Sequence, residues 1–291
     1  MKLYNFKFKL LLVFLVTSFV FTSCEDSNAI DGSFKAISED QTIALVESDD
    51  ISDEVDNIVD DFLNEEFNLA SKDEASKSDN SSIGGRPGCV TKTIVIDGAS
   101  KMITLDFGEE CELPNGHILA GKIIMNFLFD KESKTTAVTQ TFDGFMFNSI
   151  VVEGENTIVR TKENENGNPQ SVKNINITLT WPDDESVVKM GTKTREFIEG
   201  YDTKTWGDNV FLISGNWAHT FKDGAVFTSK ITNSLRREMS CRFFVSGTIE
   251  IVRANRTGTI DFGDGTCDNI ATFTNSEGVV KEITLRKRIN K

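Results

Sequence analysis

The amino-acid sequence predicts a mainly β protein: one large antiparallel sheet, built as a curved open sheet, a partial barrel or a sandwich, and preceded by one amphipathic helix. Three observations carry this expectation. From Cys89 onward apolar residues recur at every second position, the period of a strand with one buried face. Turn phrases such as "NGNP", "FKDG" and "NSEG" separate those runs as hairpin connections do. A helical period occurs only before them, in residues 49–70.

The elements are justified in chain order. Lys2, Lys7 and Lys9 precede an apolar run from Leu10 to Phe21, the basic start and short apolar stretch of a secretory signal. Crossing a bilayer as a helix takes roughly 20 apolar residues, which this run does not reach. The small residues Thr22 and Ser23 then lead to Cys24. The arrangement resembles a bacterial lipoprotein signal (residues 1–23), which implies that Cys24 is lipidated and becomes the mature N-terminus. Acyl chains contribute about 0.8 kcal/mol per buried methylene, so several of them would attach the chain to a membrane through Cys24.

Residues 24–48 read as an acidic tether. In 49–70, Ile51, Val55, Ile58, Val59, Phe62, Leu63 and Phe67 share one helical face, with acids on the other. Asp49 or Asp50 can cap the start, and early acids suit the helix dipole. Such a helix binds a partner or packs on the chain's own body; the second is the expectation. "SKDEASKSDNSSIGGRPG" (71–88) is a linker.

Residues 89–291 form the predicted β domain. In "KNINITLTW" Ile175, Ile177, Leu179 and Trp181 alternate with polar residues, and "VFLISGNWAHTF" alternates Phe211, Ile213, Trp217 and Phe221. "CRFFVSGTIEIV" gives Phe243, Val245, Ile249 and Ile251, and "VVKEITLRK" gives Ile283 and Leu285. "GKIIMNFLFD" and "FFVSGTIEIV" are long for strands, which favours a curved sheet, a partial barrel or a sandwich.

One phrase recurs. "ITLDFGEEC" (103–111) returns as "GTIDFGDGTC" (258–267), each a strand ending in Asp-Phe-Gly, an acidic turn and a cysteine. The recurrence allows two related halves. Without Cys24 four cysteines remain, an even number that suggests disulfides in an exported chain. Cys89–Cys111 and Cys241–Cys267 are the expected pairs, because each brackets a similar stretch and would staple a hairpin. A four-cysteine zinc site would show closer C-x2–4-C spacing.

At these residues the chain resembles a group of uncharacterised β-rich envelope lipoproteins common in Bacteroidota. The resemblance rests on "ITLDFGEECELPNGHILAGKIIMNF", "TREFIEGYDTKTWGDNVFLISGNW", "CRFFVSGTIEIV" and "TIDFGDGTCDNIATFT". It implies an outer-membrane lipoprotein, surface-exposed or periplasm-facing, and it brings no activity and no catalytic residue. Acids just after the cysteine can mark surface export in such lipoproteins, and "CEDSN" is compatible with that signal.

Charge and composition bound the chemistry. Residues 25–88 hold 18 acids and 4 bases, whereas the last 203 residues hold 27 acids and 24 bases. No basic stripe is visible that would displace counterions from phosphates, so nucleic acid is not an expected partner. His117 lies in the turn "PNGH" and His219 on a strand near Trp217, and both read as ordinary turn or surface residues. No G-x-S-x-G or H-E-x-x-H accompanies them. Asp261, Asp264 and Asp268 could attract calcium, but Asp and Gly are also what a tight turn uses. With 22 Phe against 3 Trp and 2 Tyr, most rings should be core, which leaves room for an apolar cavity. The sequence thus assigns no catalytic residue, metal or cofactor. It points to a non-enzymatic binding or structural lipoprotein whose partner is a protein or an apolar ligand. The alternatives are an envelope hydrolase with a carboxylate pair and a periplasmic lipid carrier.

Overall fold

A computed structural model describes residues 39–69, 88–98, 100–130, 132–203 and 205–285. The signal, Cys24, the first part of the tether and the linker up to residue 87 lie outside the described residues, as do the side chains of Leu63 and Phe67. One helix, α1 (Glu39–Leu69), precedes fourteen strands. These are β1 (Thr91–Asp97), β2 (Ser100–Asp106), β3 (Cys111–Glu112), β4 (Ile118–Asp130), β5 (Thr135–Phe147), β6 (Ile150–Thr161) and β7 (Gln170–Thr180). After them come β8 (Ser186–Glu199), β9 (Val210–Phe221), β10 (Val226–Glu238), β11 (Phe244–Arg253), β12 (Arg256–Asp264), β13 (Ile270–Asn275) and β14 (Val280–Thr284).

All fourteen belong to one antiparallel sheet in sequence order, with the two-residue β3 pairing only with β4. The sheet is open, because β1 and β14 stand at opposite ends of the order. Of the three predicted architectures this is the open sheet, and the two Asp-Phe-Gly phrases lie in one continuous meander. Strands of 11 to 14 residues run through its middle, from β4 to β10. Register shifts interrupt them, as between Ala120 and Lys122, Thr141 and Met146, and Lys230 and Leu235. Each shift bends its strand and increases the local twist, so a sheet with several of them coils.

What it coils around is α1. From Ile43 to Phe62 no described residue of the helix is exposed, including those of its acidic face. A helix lying on a flat sheet would keep one face in water. Leu45, Ile51, Val55 and Val59 are at most 3% exposed and join Ile103, Leu119, Ile213 and Ile249 in one core. Each such side chain contributes about 1.5–3 kcal/mol by leaving water. The helix therefore packs on the chain's own body.

It also begins earlier than its period indicates. Residues 39–48, read from sequence as tether, are helical, because Ala44, Leu45 and Val46 carry the buried face back by a turn and a half beyond Ile51.

The disulfides pair Cys89 with Cys111 and Cys241 with Cys267. The first closes the open end of the β1–β2 hairpin and the second that of β11–β12. The repeated phrase is a repeated local structure. Gly108 and Gly263 each donate a backbone N–H, at 2.9 Å, to the Asp side chain two residues earlier, Asp106 and Asp261. Both glycines have positive φ, 66° and 95°, which a side chain would strain. Between them and the Asp, Phe107 and Phe262 turn into the core.

Candidate functional site

The inward face of β7, β8 and β9 is basic where a core is usually apolar. Lys173, Lys189, Lys193 and Arg195 are all buried, and they fall on one face because alternate residues of a strand do. Pairing brings Lys173 opposite Lys193, and Lys189 opposite His219. Trp217 lies between the lysines: the Nζ atoms of Lys189 and Lys193 stand 4.9 and 5.6 Å from its ring centroid. Gly191 faces Trp217 across the pair, and a Cβ there would come within 2.4 Å of the Trp217 Cα. Only glycine allows this approach.

The acidic face of α1 meets this seam. Lys189 Nζ donates to Asp49 Oδ1 at 2.6 Å, and Lys173 Nζ to Asp56 Oδ1 at 2.5 Å. Arg160 Nη2 donates to Asp60 Oδ1 at 2.6 Å, while Arg195 Nη1 lies 3.5 Å from Asp60 Oδ2 and its Nη2 donates to Asn57 Oδ1 at 2.8 Å. Trp181 Nε1 donates to Glu47 at 3.0 Å. Positions 49, 53, 56 and 60 recur at helical spacing, so one stripe of acids matches one stripe of bases. Arg237 closes the pattern, 3.5 Å from Asp53 and 3.7 Å from Glu54.

Burial and charge compete along the seam. Burial opposes the charged form of Asp49, yet Lys189 and His219 hold its pKa well below the ordinary carboxylate range. Burial likewise opposes the Asp56 carboxylate and is outweighed by Lys173 and Lys193, so its pKa is also lowered. For Lys189 burial wins over the attraction of Asp49, with repulsion from Lys193 added, and its pKa falls to about 8. Burial lowers His219 in the same way, against the pull of Asp49. The seam is a structural joint, fully occupied by the chain's own helix.

Next to its Asp60 end lies a cavity of about 450 Å³. Its walls come from the ends of β4 to β9 that gather there, with a short 3-10 turn (Trp206–Asp208) contributing Trp206. Rings form one side: Phe197 stacks on Phe211 at 4.4 Å between centroids and meets Tyr201 edge-on at 5.7 Å. Arg195 lies over the Phe211 ring, its Cζ 3.8 Å from the centroid. Phe129 and Tyr201 are about half exposed at the opening. Among the described residues Lys134, Arg160, Lys162 and Arg195 line the cavity, with Asp60 as the one lining carboxylate.

The rim is fixed by the β6–β7 loop. Asn164, Asn166 and Asn168 each donate a side-chain amide to Glu196 Oε1, at 2.9, 3.0 and 2.9 Å. Those three amides lower the Glu196 pKa.

The residues singled out from sequence fall elsewhere. Both histidines are fully buried, which corrects their reading as turn or surface residues. His219 stands 3.3 Å from Asp49 inside the seam, and His117 packs at a tilt against Phe147 with Nε2 3.6 Å from Glu54. Asn148 accepts from the Ile118 N–H and donates its amide to His117 Nδ1 at 3.0 Å, while Nε2 also lies 3.4 Å from Arg242 Nη2. Asp261, Asp264 and Asp268 accept bonds from the backbone N–H groups of Gly263, Thr266 and Ile270, the work of turn residues. Among the described residues no three His, Cys, Asp or Glu side chains gather as a metal-binding group.

Sequence reasoning missed the seam and the cavity. Their signal was present in "VVKMGTKTREF", where Val187, Lys189, Gly191, Lys193, Arg195 and Phe197 occupy one strand face. Read alone, lysines on a strand indicate the solvent side. Comparison with protein families, with curated proteins and with solved structures finds no match for this chain.

Proposed function

We propose that this protein is a non-enzymatic binding protein of the cell envelope, tethered to the membrane through Cys24, which holds a small apolar-bodied ligand in the cavity beside Asp60. The observation that carries the reading is the cavity itself. Its volume, about 450 Å³, lies in the range of small-molecule sites, its walls are aromatic, and a few polar groups converge on it. The rim is held by the Glu196–asparagine bonds, so the ligand would find a formed site.

The two alternatives have less support at this place. Hydrolysis by a carboxylate pair needs two acids about 5–9 Å apart, and among the described residues Asp60 is the one acid that lines the cavity. A lipid carrier needs an open apolar interior, whereas α1 fills the inside of the sheet. The void beside Val46, Phe244 and Phe262 holds only about 20 Å³, room for a single water.

A thermal-unfolding screen of the full chain against small apolar and aromatic molecules tests the proposal. A binder present at about 100 times its dissociation constant should stabilise the protein by about 2.7 kcal/mol. Replacing Ser171, on the cavity wall, with Trp should abolish that shift. A screen in which no molecule moves the midpoint, or in which S171W responds like the parent, would remove the basis for the reading.

A further inference from the structure

We infer that the ligand of the cavity carries a carboxylate on a flat apolar body. This rests on the reading that the cavity binds a ligand, and it names the chemistry. Among the described residues four cationic side chains, Lys134, Arg160, Lys162 and Arg195, line the space against one carboxylate, that of Asp60. The C-terminal 203 residues as a whole carry a slight acidic excess, so the cations are concentrated here. A cleft with apolar walls and one sign of charge selects for the opposite charge.

Two buried donors point the same way. Trp206 is 5% exposed and Arg195 has a side chain 7% exposed, and both line the cavity. The indole Nε1–H of Trp206 and the guanidinium Nε–H of Arg195 have no acceptor among the described residues. Buried polar groups are normally paired, and both of these can only donate. Both atoms are closed to solvent, so a ligand oxygen reaches them only after a small shift of the neighbouring side chains, and a carboxylate supplies two oxygens in the plane that a guanidinium and an indole N–H can then share.

The rings specify the rest. Phe211 is covered on one side by the Arg195 guanidinium and stacks with Phe197, which meets Tyr201 at the mouth. A flat apolar body fits beside such rings by offset stacking or edge contact. Its carboxylate then reaches toward Arg195 and Trp206, with Lys134 and Lys162 adding charge from the rim.

Isothermal titration of the purified full chain with 2-naphthoate and, separately, with 2-naphthamide tests this. The two probes share a shape and differ in charge. The expected result is that naphthoate binds at least about tenfold more tightly, since charge-assisted hydrogen bonds exceed neutral ones by that order. K162Q, at an exposed rim position, should narrow the gap without altering the fold. W206F, which keeps a ring and loses the donor, should weaken naphthoate by about threefold to tenfold. Equal binding of the two probes would overturn the carboxylate assignment and leave the ligand-binding reading standing. Binding of neither would sink both.

Discussion

Lys189 shows how far this protein departs from an ordinary core. It is a fully buried cation whose charge is matched by Asp49 on the helix and by the face of Trp217. A buried pair costs desolvation that its attraction only partly offsets, but removing one partner leaves the other charge stranded. K189M should therefore destabilise the protein by about 3–5 kcal/mol in urea unfolding. The double variant K189M with D49L should recover most of the loss, because an apolar pair of similar size carries no desolvation penalty. Recovery no better than the single variant would mean that the pair contributes more than mutual neutralisation. The titrations give a second test. The His219 pKa is lowered on folding, so the unfolded chain takes up the proton first as pH falls. Stability present above about pH 6.5 is then lost through the folded value of His219. Asp49 and Asp56, also lowered, add a further loss that begins near pH 4. On the alkaline side the sign is the same. Lys189 falls to about 8, so the unfolded chain holds the extra proton up to about 10.5 and this group's contribution rises with pH across that window. H219Q should flatten the urea midpoint between pH 5 and 7, and an unchanged slope would assign it to other groups.

The same logic governs the elements. Helix α1 is amphipathic in sequence, yet both of its faces are buried, one against apolar strands and one against the basic seam. Its existence was legible because seven apolar residues keep helical spacing, and the strands were legible because apolar residues alternate. The helix start was not, since residues 39–48 mix four apolar residues with acids and carry no cap signal sharper than that of Asp49. Nor was the burial of the acids legible: a carboxylate declares its partner only when another element supplies one, and those lysines lie more than a hundred residues away. The stapled hairpins were readable because their cysteines bracket a repeated phrase. Their energetic roles should differ. Each disulfide closes a loop of 22 or 26 residues, for which chain entropy gives about 3 kcal/mol. β1 is a mostly exposed edge strand, so C89S with C111S should mainly speed hydrogen exchange within β1 and β2. β11 has no exposed residue and β12 sends Ile260 and Phe262 into the core, so C241S with C267S should lower the global midpoint. Equal local and global effects for the two pairs would contradict this division.

In the whole molecule the charge asymmetry of the sequence takes on a meaning. The excess of acids before residue 88 serves in part as counter-charge for the sheet, and the end of the segment that reads as a tether, Ala44 to Ser48, joins the helix in supplying its interior. The helix thereby fills the space that a lipid carrier would leave open and leaves a smaller cavity beside Asp60, where the proposed ligand would sit. The proposed membrane tether is a separate matter, resting on Cys24. C24S should move the protein from the membrane to the soluble fraction, and continued sedimentation with membranes would rule out that anchor. The measurement that bears most directly on the account is native-state hydrogen exchange of residues 44–62 in the intact protein. If α1 is the core of the sheet, its amides exchange only through global unfolding, as slowly as those of β7, β8 and β9. Exchange of the helix within seconds, while those strands stay protected, would mean that it leaves the sheet readily, and the interior would then be open to a larger guest.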